Sequence, residues 1–487
     1  MESSGRLSSG RTLFSISSLL CLAGLPIVAA LERSNFFATH VYLVTPQWKE
    51  LFGRLLGNAE SGLLLAGLIL ALIAYWYAPI IRGIDRFLSS KEKSFLVVLF
   101  CGAFLIRVLY LLIFRTQPWS DQLWYQRAGL QLAAGMGYLN EAGLPTAYYP
   151  IGFPLYLSLL YRAFGDNLWI IKASNVILNV ATIGMLYALT KRLMGERVAR
   201  IAAILNTLCL SQIAFSDTMF SEVTFLFFFT ATLAIGVRLL EERERDVLPS
   251  IFFGIILGIS CLIRPAAIVI LLALFIMSVK SSVVPATLIR KFIIIGIFMA
   301  IVLTPNIMRN YGLFGKFIPV STNGGVDFWI GNNPRSSGHY MAATALDSAG
   351  AEDAISSAGY KAGASWIVSH PLEALVNEVR KFLHLYARDD EGIIFSFTNV
   401  EGSAPWFTSV PLLLLGDLGY YIVLALFCRN MWRRKRTLNV SEQYFLHICI
   451  LTTAFYLIYF GSERFHFALL PIFCMFAAKE IDEQKLI

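Results

Sequence analysis

SFLVVLFCGAFLIRVLYLLIFRTQPWSDQLWYQRA, residues 94–128, decides the class of the chain. Residues 94–114 are an apolar run, and about 20 such residues suffice for a helix to cross a bilayer. Asp121 follows almost at once, which raises the question of what a carboxylate does at the end of a span. Composition agrees with a membrane protein: hydrophobic residues are 57% of the 487 and charged residues 15%, where soluble domains show roughly 45–50% and 25%. The chain is an all-α polytopic membrane protein, expected as a two-span extension, 1–90, ahead of an integrated core, 91–487.

Apolar runs place crossings near 13–31, 62–81, 94–114, 168–190, 199–215, 220–238, 250–263, 265–279, 292–305, 410–428, 443–460 and 465–478, about twelve in all. Two short runs meet at Arg264-Pro265, where a charged residue and a helix breaker favour a hairpin with Arg264 at its tip. The start of the chain combines Arg6 and Arg11 with a long apolar stretch and no clean small-residue cleavage site, which reads as an uncleaved signal anchor. The seven cysteines, Cys21, Cys101, Cys209, Cys261, Cys428, Cys449 and Cys474, lie in or beside apolar runs without CxxC spacing and read as small core residues.

Lys and Arg collect in alternate connections. With the N-terminus inside, Lys191-Arg192, Arg238 to Arg245, Arg290-Lys291 and Arg433 to Arg436 all fall on the cytoplasmic side, as the positive-inside rule requires. The net charge of +8 then reports topology and anionic headgroups, and nucleic acid is no partner, because no basic patch is interleaved with aromatics in a polar domain. Both termini are expected in the cytoplasm and the two long non-spanning segments, 115–167 and 306–409, outside. The second contains the turn-rich STNGG and GNNPRSSG and then PLEALVNEVRKFLHLYARD. There Leu372, Leu375, Val376, Val379, Phe382, Leu383 and Tyr386 form one apolar stripe, predicting an amphipathic helix along the membrane surface or against the bundle. The sequon at Asn439 falls on the inner side and is discounted.

Position alone leaves Asp121 an ordinary role, since Ser120-Asp121 ahead of LWYQRAGLQLAAG is a normal helix start. Its company changes that. Downstream stand GMGYLNEAGLPTAYYPIGFPLYLSLLYRAFG (135–165), SDTMFSEVTFLFF (216–228), GIILGISCLIRPAAIVI (254–270), TPNIMRNYGLFGKFIPVSTNGGVDFWIGNNPRSSGHY (304–340) and ERFHFALLPIFCMFAA (463–478). Together these resemble bacterial members of the glycosyltransferase-C superfamily, in the branch related to protein O-mannosyltransferases and to the aminoarabinose transferases that modify lipid A. The resemblance runs from about residue 94 to the C-terminus. It rests on an ordered set: an acidic residue after the first core span, the Pro-Thr-Ala-Tyr-x-Pro-x-Gly-x-Pro segment, an Arg-Pro pair, an Arg-Asn-Tyr after a span and a late Arg before Pro.

The resemblance implies a bundle of about twelve transmembrane helices with short helices in two external loops. It also implies an inverting transferase that uses a polyprenyl-phosphate-linked sugar at the outer face of a bacterial inner membrane, with Asp121 near the donor's anomeric carbon. A carboxylate there can take the proton of an attacking hydroxyl, and cationic side chains stabilise the leaving lipid phosphate. Arg264, Arg309 and Arg464, each at an outward helix end, are the candidates for phosphate contacts. The alternatives for them are headgroup snorkelling or pairing with Asp217, Glu222 or Glu463. Asp217 and Glu222, in SDTMFSE, match an acidic position of the family and could orient an arginine, bind a metal or assist catalysis. His466 could touch the phosphate or carry a proton, although a lone histidine on an apolar helix is more often a satisfied core residue. Tyr125, Tyr148 and Tyr149, with Trp119 and Trp124, would line the substrate or form an interfacial belt. No ligand spacing demands a metal, and divalent-ion dependence is left open. The implied partners are membrane lipids, the lipid-linked donor, and a glycan, lipid or protein acceptor such as lipid A.

Three departures qualify the resemblance. Where the aminoarabinose transferases carry a basic residue in a Lys-Pro-Pro segment, this chain has Tyr149-Pro150-Ile151, so a phosphate contact must come from elsewhere. No folded external domain follows the last expected span, which turns attention to 306–409 as the acceptor's support. Residues 1–90 add two spans. A transporter or flippase of a lipid-linked saccharide would share the helix count, yet no internal repeat gives two similar halves. An oligosaccharide ligase or polymerase would share the external site and transfer a chain in place of one sugar.

Overall fold

The structure is a computed structural model that describes residues 83–241, 247–280, 285–343, 346, 350–400 and 406–484. The expected crossings 13–31 and 62–81, and Cys21, lie outside the described residues. Among the described residues there is no strand, only isolated bridges joining Thr116 to Val400 and Leu139 to Pro145.

The first span is α1 (Glu92–Phe114), which ends where Arg115 turns left-handed. The first external loop holds α2 (Asp121–Ala133) and α3 (Gly152–Phe164), packed on each other. Then come α4 (Leu168–Met194), α5 (Glu196–Thr207), α6 (Leu210–Phe215), α7 (Glu222–Glu241) and α8 (Val247–Ile263). A 3-10 turn at Pro265–Ala267 leads into α9 (Ile268–Lys280), which is followed by α10 (Pro285–Phe314). The second external segment holds α11 (Gly324–Gly331), α12 (Glu352–Ser369), α13 (Pro371–Tyr386) and α14 (Glu391–Thr398). Helices α15 (Trp406–Arg434) and α16 (Val440–Ile458), a 3-10 segment at Glu463–Leu469 and α17 (Leu470–Glu483) complete the fold.

Five helices among the described residues are long and apolar enough to cross a membrane: α1, α4, α7, nearly all of α10 and the 411–434 part of α15. Helices α8 and α9 are apolar but shorter, and the break between them falls at Arg264 as expected. Two expected crossings look different. The run 199–215 splits into α5 and α6, and the Asn206 and Gln212 side-chain amides bond each other across the split while Asn179 of α4 donates to the Gln212 carbonyl at 2.7 Å. The two amides satisfy each other, and Asn179 satisfies one backbone carbonyl beside the break. The run 465–478 becomes a 3-10 segment and the 14-residue α17, buried on every side from Leu470 to Ala478. A helix apolar all round belongs in the core, and α17 packs there against α15 and α5.

The centre of the bundle is α7, whose Val223, Leu226, Phe229, Leu233 and Val237 are buried at helical spacing. Cys261, Cys449 and Cys474 are buried as expected, whereas Cys101 on α1 and Cys428 on α15 are exposed. Asn439 caps α16 in a capping box with Glu442. The amphipathic α13 forms where the stripe predicted it, but it buries Asn377, Lys381 and His384 and turns Leu372, Leu375, Val379 and Phe382 outward.

Candidate active site between the external loops

Helix α2 starts at Asp121 as expected, although Ser120 makes no side-chain capping bond and sits at φ 50°, rare for a residue with a side chain. Asp121 instead accepts a hydrogen bond from the Tyr149 hydroxyl at 3.1 Å, and its other oxygen lies 4.0 Å from the Arg464 guanidinium. Gly152 makes this approach feasible. A Cβ there would sit 2.5 Å from the Leu262 carbonyl carbon, so only glycine lets YYPIGFP close against the end of α8, beside Arg264.

Arg264 has extended backbone between α8 and the 3-10 turn. Its Nε donates to Ser221 Oγ at 3.1 Å and its Nη2 to Glu222 Oε1 at 2.5 Å. The same carboxylate oxygen is 3.9 Å from Arg464, so one buried glutamate serves two guanidiniums. Glu222 Oε2 and Arg464 Nε have no hydrogen-bond partner among the described residues. The Arg464 backbone is pinned by its N–H donating to Glu391 Oε2 at 2.9 Å, which also accepts from Ser462 Oγ. Burial alone would lower the Arg464 pKa, but Glu391, Glu222 and Asp121 outweigh it and raise the pKa. The two arginine side chains remain 17% and 20% exposed, which leaves them within reach of an anion entering the cleft.

Around Asp121 stand the expected aromatics: the Tyr149 ring centroid lies 4.6 Å from Trp124, 4.9 Å from Tyr148 and 5.7 Å from Tyr125. Trp119 packs instead on Phe395. Beyond Arg264, an open apolar groove of about 670 Å³ runs between α9, α10 and α16, lined by Ile268, Leu272, Phe275, Phe292, Leu451 and Phe455. It begins at Ile268, one helical turn from Arg264.

Other expected site residues are engaged elsewhere. Asp217 does not join Glu222: Lys172 of α4 lies 2.5 Å away, and Thr116 gives it two hydrogen bonds, from Oγ1 at 2.6 Å and N–H at 3.1 Å. Arg309 donates to the carbonyls of Tyr138 and Thr146 at 3.1 and 2.7 Å, bracing the first external loop. His466 is fully buried, with Nδ1 2.7 Å from the Leu385 carbonyl, Nε2 3.3 Å from Asp389, and its ring stacked on Tyr420. Glu463 pairs with His339 at 3.1 Å.

Two carboxyls that sequence reading passed over also face the cleft. Glu391 holds the Arg464 backbone. Asp327, on α11, accepts from Asn323 Nδ2 at 2.7 Å. Burial pushes its carboxyl up to about 7, with Arg464 opposing and Asp121 adding to the rise. Its helix, GGVDFWIG, lies between two stretches read as turns, and its glycines concealed the helical signal. Among the described residues no cluster of three or more His, Cys, Asp or Glu side chains is poised around a metal.

ArnT from Cupriavidus metallidurans bound to undecaprenyl phosphate matches with TM-score 0.46 and 13% identity over 80% of this chain and 61% of that one. The oligosaccharyltransferase of Archaeoglobus fulgidus in the apo form matches with TM-score 0.50 and 16% identity, over 81% and 51%. The fold is shared with that oligosaccharyltransferase. Residues 149–308 match the family model described as dolichyl-phosphate-mannose-protein mannosyltransferase. That stretch runs from Tyr149 through Glu222 and Arg264 and so covers much of the cleft. No curated protein matches the sequence. The chain spans about half to three-fifths of the length of these two solved structures.

Proposed function

We propose that the protein transfers a single sugar from a polyprenyl-phosphate-linked donor to an acceptor of the cell envelope, a glycan, lipid or protein, with inversion. The observation that carries this reading is the pair Arg264 and Arg464, sharing Glu222 between an apolar groove on one side and Asp121 on the other. Such a cleft fits an amphipathic donor: the isoprenoid in the groove, the phosphate between the guanidiniums, and the sugar towards Asp121 and the tyrosines. The family description of residues 149–308 supports a lipid-phosphate-linked donor.

Asp121 acts as base in this reading. It takes the acceptor's proton as the acceptor oxygen bonds to the anomeric carbon and the bond to the phosphate oxygen breaks. Arg264 and Arg464 stabilise the charge that collects on the departing phosphate, Glu222 holds both in place, and Tyr149 fixes the Asp121 carboxylate. Where the acceptor is itself a phosphate, Asp121 serves the developing positive charge on the sugar ring. Arg309 contributes by bracing the loop. The distribution of Lys and Arg supports a bacterial inner-membrane location with both termini cytoplasmic and the cleft facing the periplasm.

The test is transfer of labelled sugar from a panel of polyprenyl-phosphate donors by the full chain in proteoliposomes, with Mg²⁺ and with EDTA. Wild type should transfer from at least one donor, and Asp121→Asn at equal folded amount should not. Turnover from no donor overturns the transferase reading; equal turnover by the variant overturns the base assignment.

A further inference from the structure

ARDDEG, residues 387–392, joins the end of α13 to the start of α14. Consecutive charges ordinarily make a solvated corner, yet Asp389 and Asp390 are 4% and 1% exposed. The corner is fastened from behind. Arg388 pairs with Asp390 and lies 3.8 Å from Asp417 of α15, and the Asp389 N–H donates to Asp417 Oδ1 at 2.9 Å. A Cβ on Gly392 would sit 2.6 Å from the Phe215 ring, so α14 begins directly against α6.

From this base the corner grips the 3-10 segment at two points. Glu391 Oε2 accepts from Ser462 Oγ at 3.0 Å and from the Arg464 N–H at 2.9 Å. Two residues further on, His466 lies 3.3 Å from Asp389 through Nε2 and 2.7 Å from the Leu385 carbonyl through Nδ1. Gly461 lets the chain come in this close: its N–H donates to the Gly338 carbonyl at 2.8 Å, and a Cβ there would overlap the Lys381 carbonyl. The Arg464 guanidinium then lies 5.8 Å from the ring centroids of Phe220 and Phe465 and 6.0 Å from that of Phe395. Arg264 is placed differently, because its N–H donates at 2.8 Å to the Ser260 carbonyl at the end of its own helix. One arginine of the pair therefore takes its position from its own span, and the other from the second external segment.

We propose that Glu391 is a positioning residue of the transfer reaction, setting the place of Arg464 against the departing phosphate without touching substrate. The inference rests on the transferase reading. A guanidinium stabilises the leaving oxygen only from where the charge collects, and a misplacement of about 1 Å can cost on the order of a hundredfold. Glu391 acts here as a double hydrogen-bond acceptor, a task that an amide oxygen performs as well. Arg264 still holds the phosphate when Arg464 shifts, so the loss falls on kcat and spares the donor KM.

The experiment measures kcat and donor KM for the full chain in proteoliposomes at equal folded amount. Glu391→Ala, Glu391→Gln and Ser462→Ala are each made in wild type and in Arg464→Gln. In wild type, Glu391→Ala should lower kcat on the order of a hundredfold with donor KM unchanged, Ser462→Ala roughly fivefold, and Glu391→Gln should retain most of the rate. In Arg464→Gln the same substitutions should cost almost nothing further, because the group they position is gone. An equal cost in both backgrounds overturns the inference, since Glu391 would then act independently of Arg464. Damage by Glu391→Gln as severe as by Glu391→Ala overturns it too, by making the charge and not the placement matter. If Glu391→Ala does not fold, Ser462→Ala and Glu391→Gln decide by the same two criteria. These outcomes leave the transferase reading standing, whereas turnover by wild type from no polyprenyl-phosphate donor overturns that reading and this inference with it.

Discussion

Asp217 and Glu222 stand five residues apart in SDTMFSE, both almost wholly buried, and they have opposite fates. Asp217 has a dedicated lysine and two hydrogen bonds from Thr116, so its charge is closed off inside a strut that ties the end of α1 to α4. Glu222 is divided between two arginines, so neither guanidinium has a carboxylate of its own there. Buried charge alone therefore does not mark a site. What distinguishes the two regions is whether the counter-charges are used up.

The most disruptive way to probe this contrast is Lys172→Met, which strands Asp217. Loss of about 3–5 kcal/mol is expected, read by denaturant unfolding in detergent, with Lys172→Met/Asp217→Leu recovering much of it. Full stability in the single variant would erase the distinction. Next, Arg464→Gln should fold normally and lose transfer on the order of a hundredfold or more, measured as kcat/KM on the productive donor; a loss confined to folded yield would make the cleft another strut. Tyr149→Phe removes one hydrogen bond to Asp121 and should cost about 1 kcal/mol, roughly fivefold in rate, without altering stability.

The gentlest probe concerns Asp327. Its folded-state pKa of about 7 stands above the ordinary 3.8, so between those values the folded state binds more protons than the unfolded one. Stability should accordingly be highest at the acid end and decline as pH rises from about 4 to about 7. Melting curves across this range should be flatter for Asp327→Asn than for wild type, and identical slopes would contradict the shift.

Much of the cleft was legible in the sequence because its parts lie at interruptions in apolar runs. Arg264 stands beside a proline, Asp121 follows a span, and Arg464 precedes a proline-bearing run, and each interruption sits at an end of a helix where the cleft lies. The parting of Asp217 from Glu222 was not legible, because it depends on how the chain turns through Thr218 to Ser221, and no periodicity reports that rotation. Helix α11 was hidden for a related reason. The glycines that permit its backbone contacts are the residues that read as turns, so Asp327 was passed over with them. The run 465–478 was legible as apolar but not as core, since an apolar surface meets lipid and protein interior alike.

Helix α13, with its polar residues inward and Leu372, Leu375 and Phe382 outward, has a practical consequence. An excised 306–409 fragment would present that greasy flank to water and would clump before it reported on any acceptor. The same flank in a nanodisc would recruit its own annulus of lipid, so binding studies of the second external segment belong in a bilayer, with the whole chain.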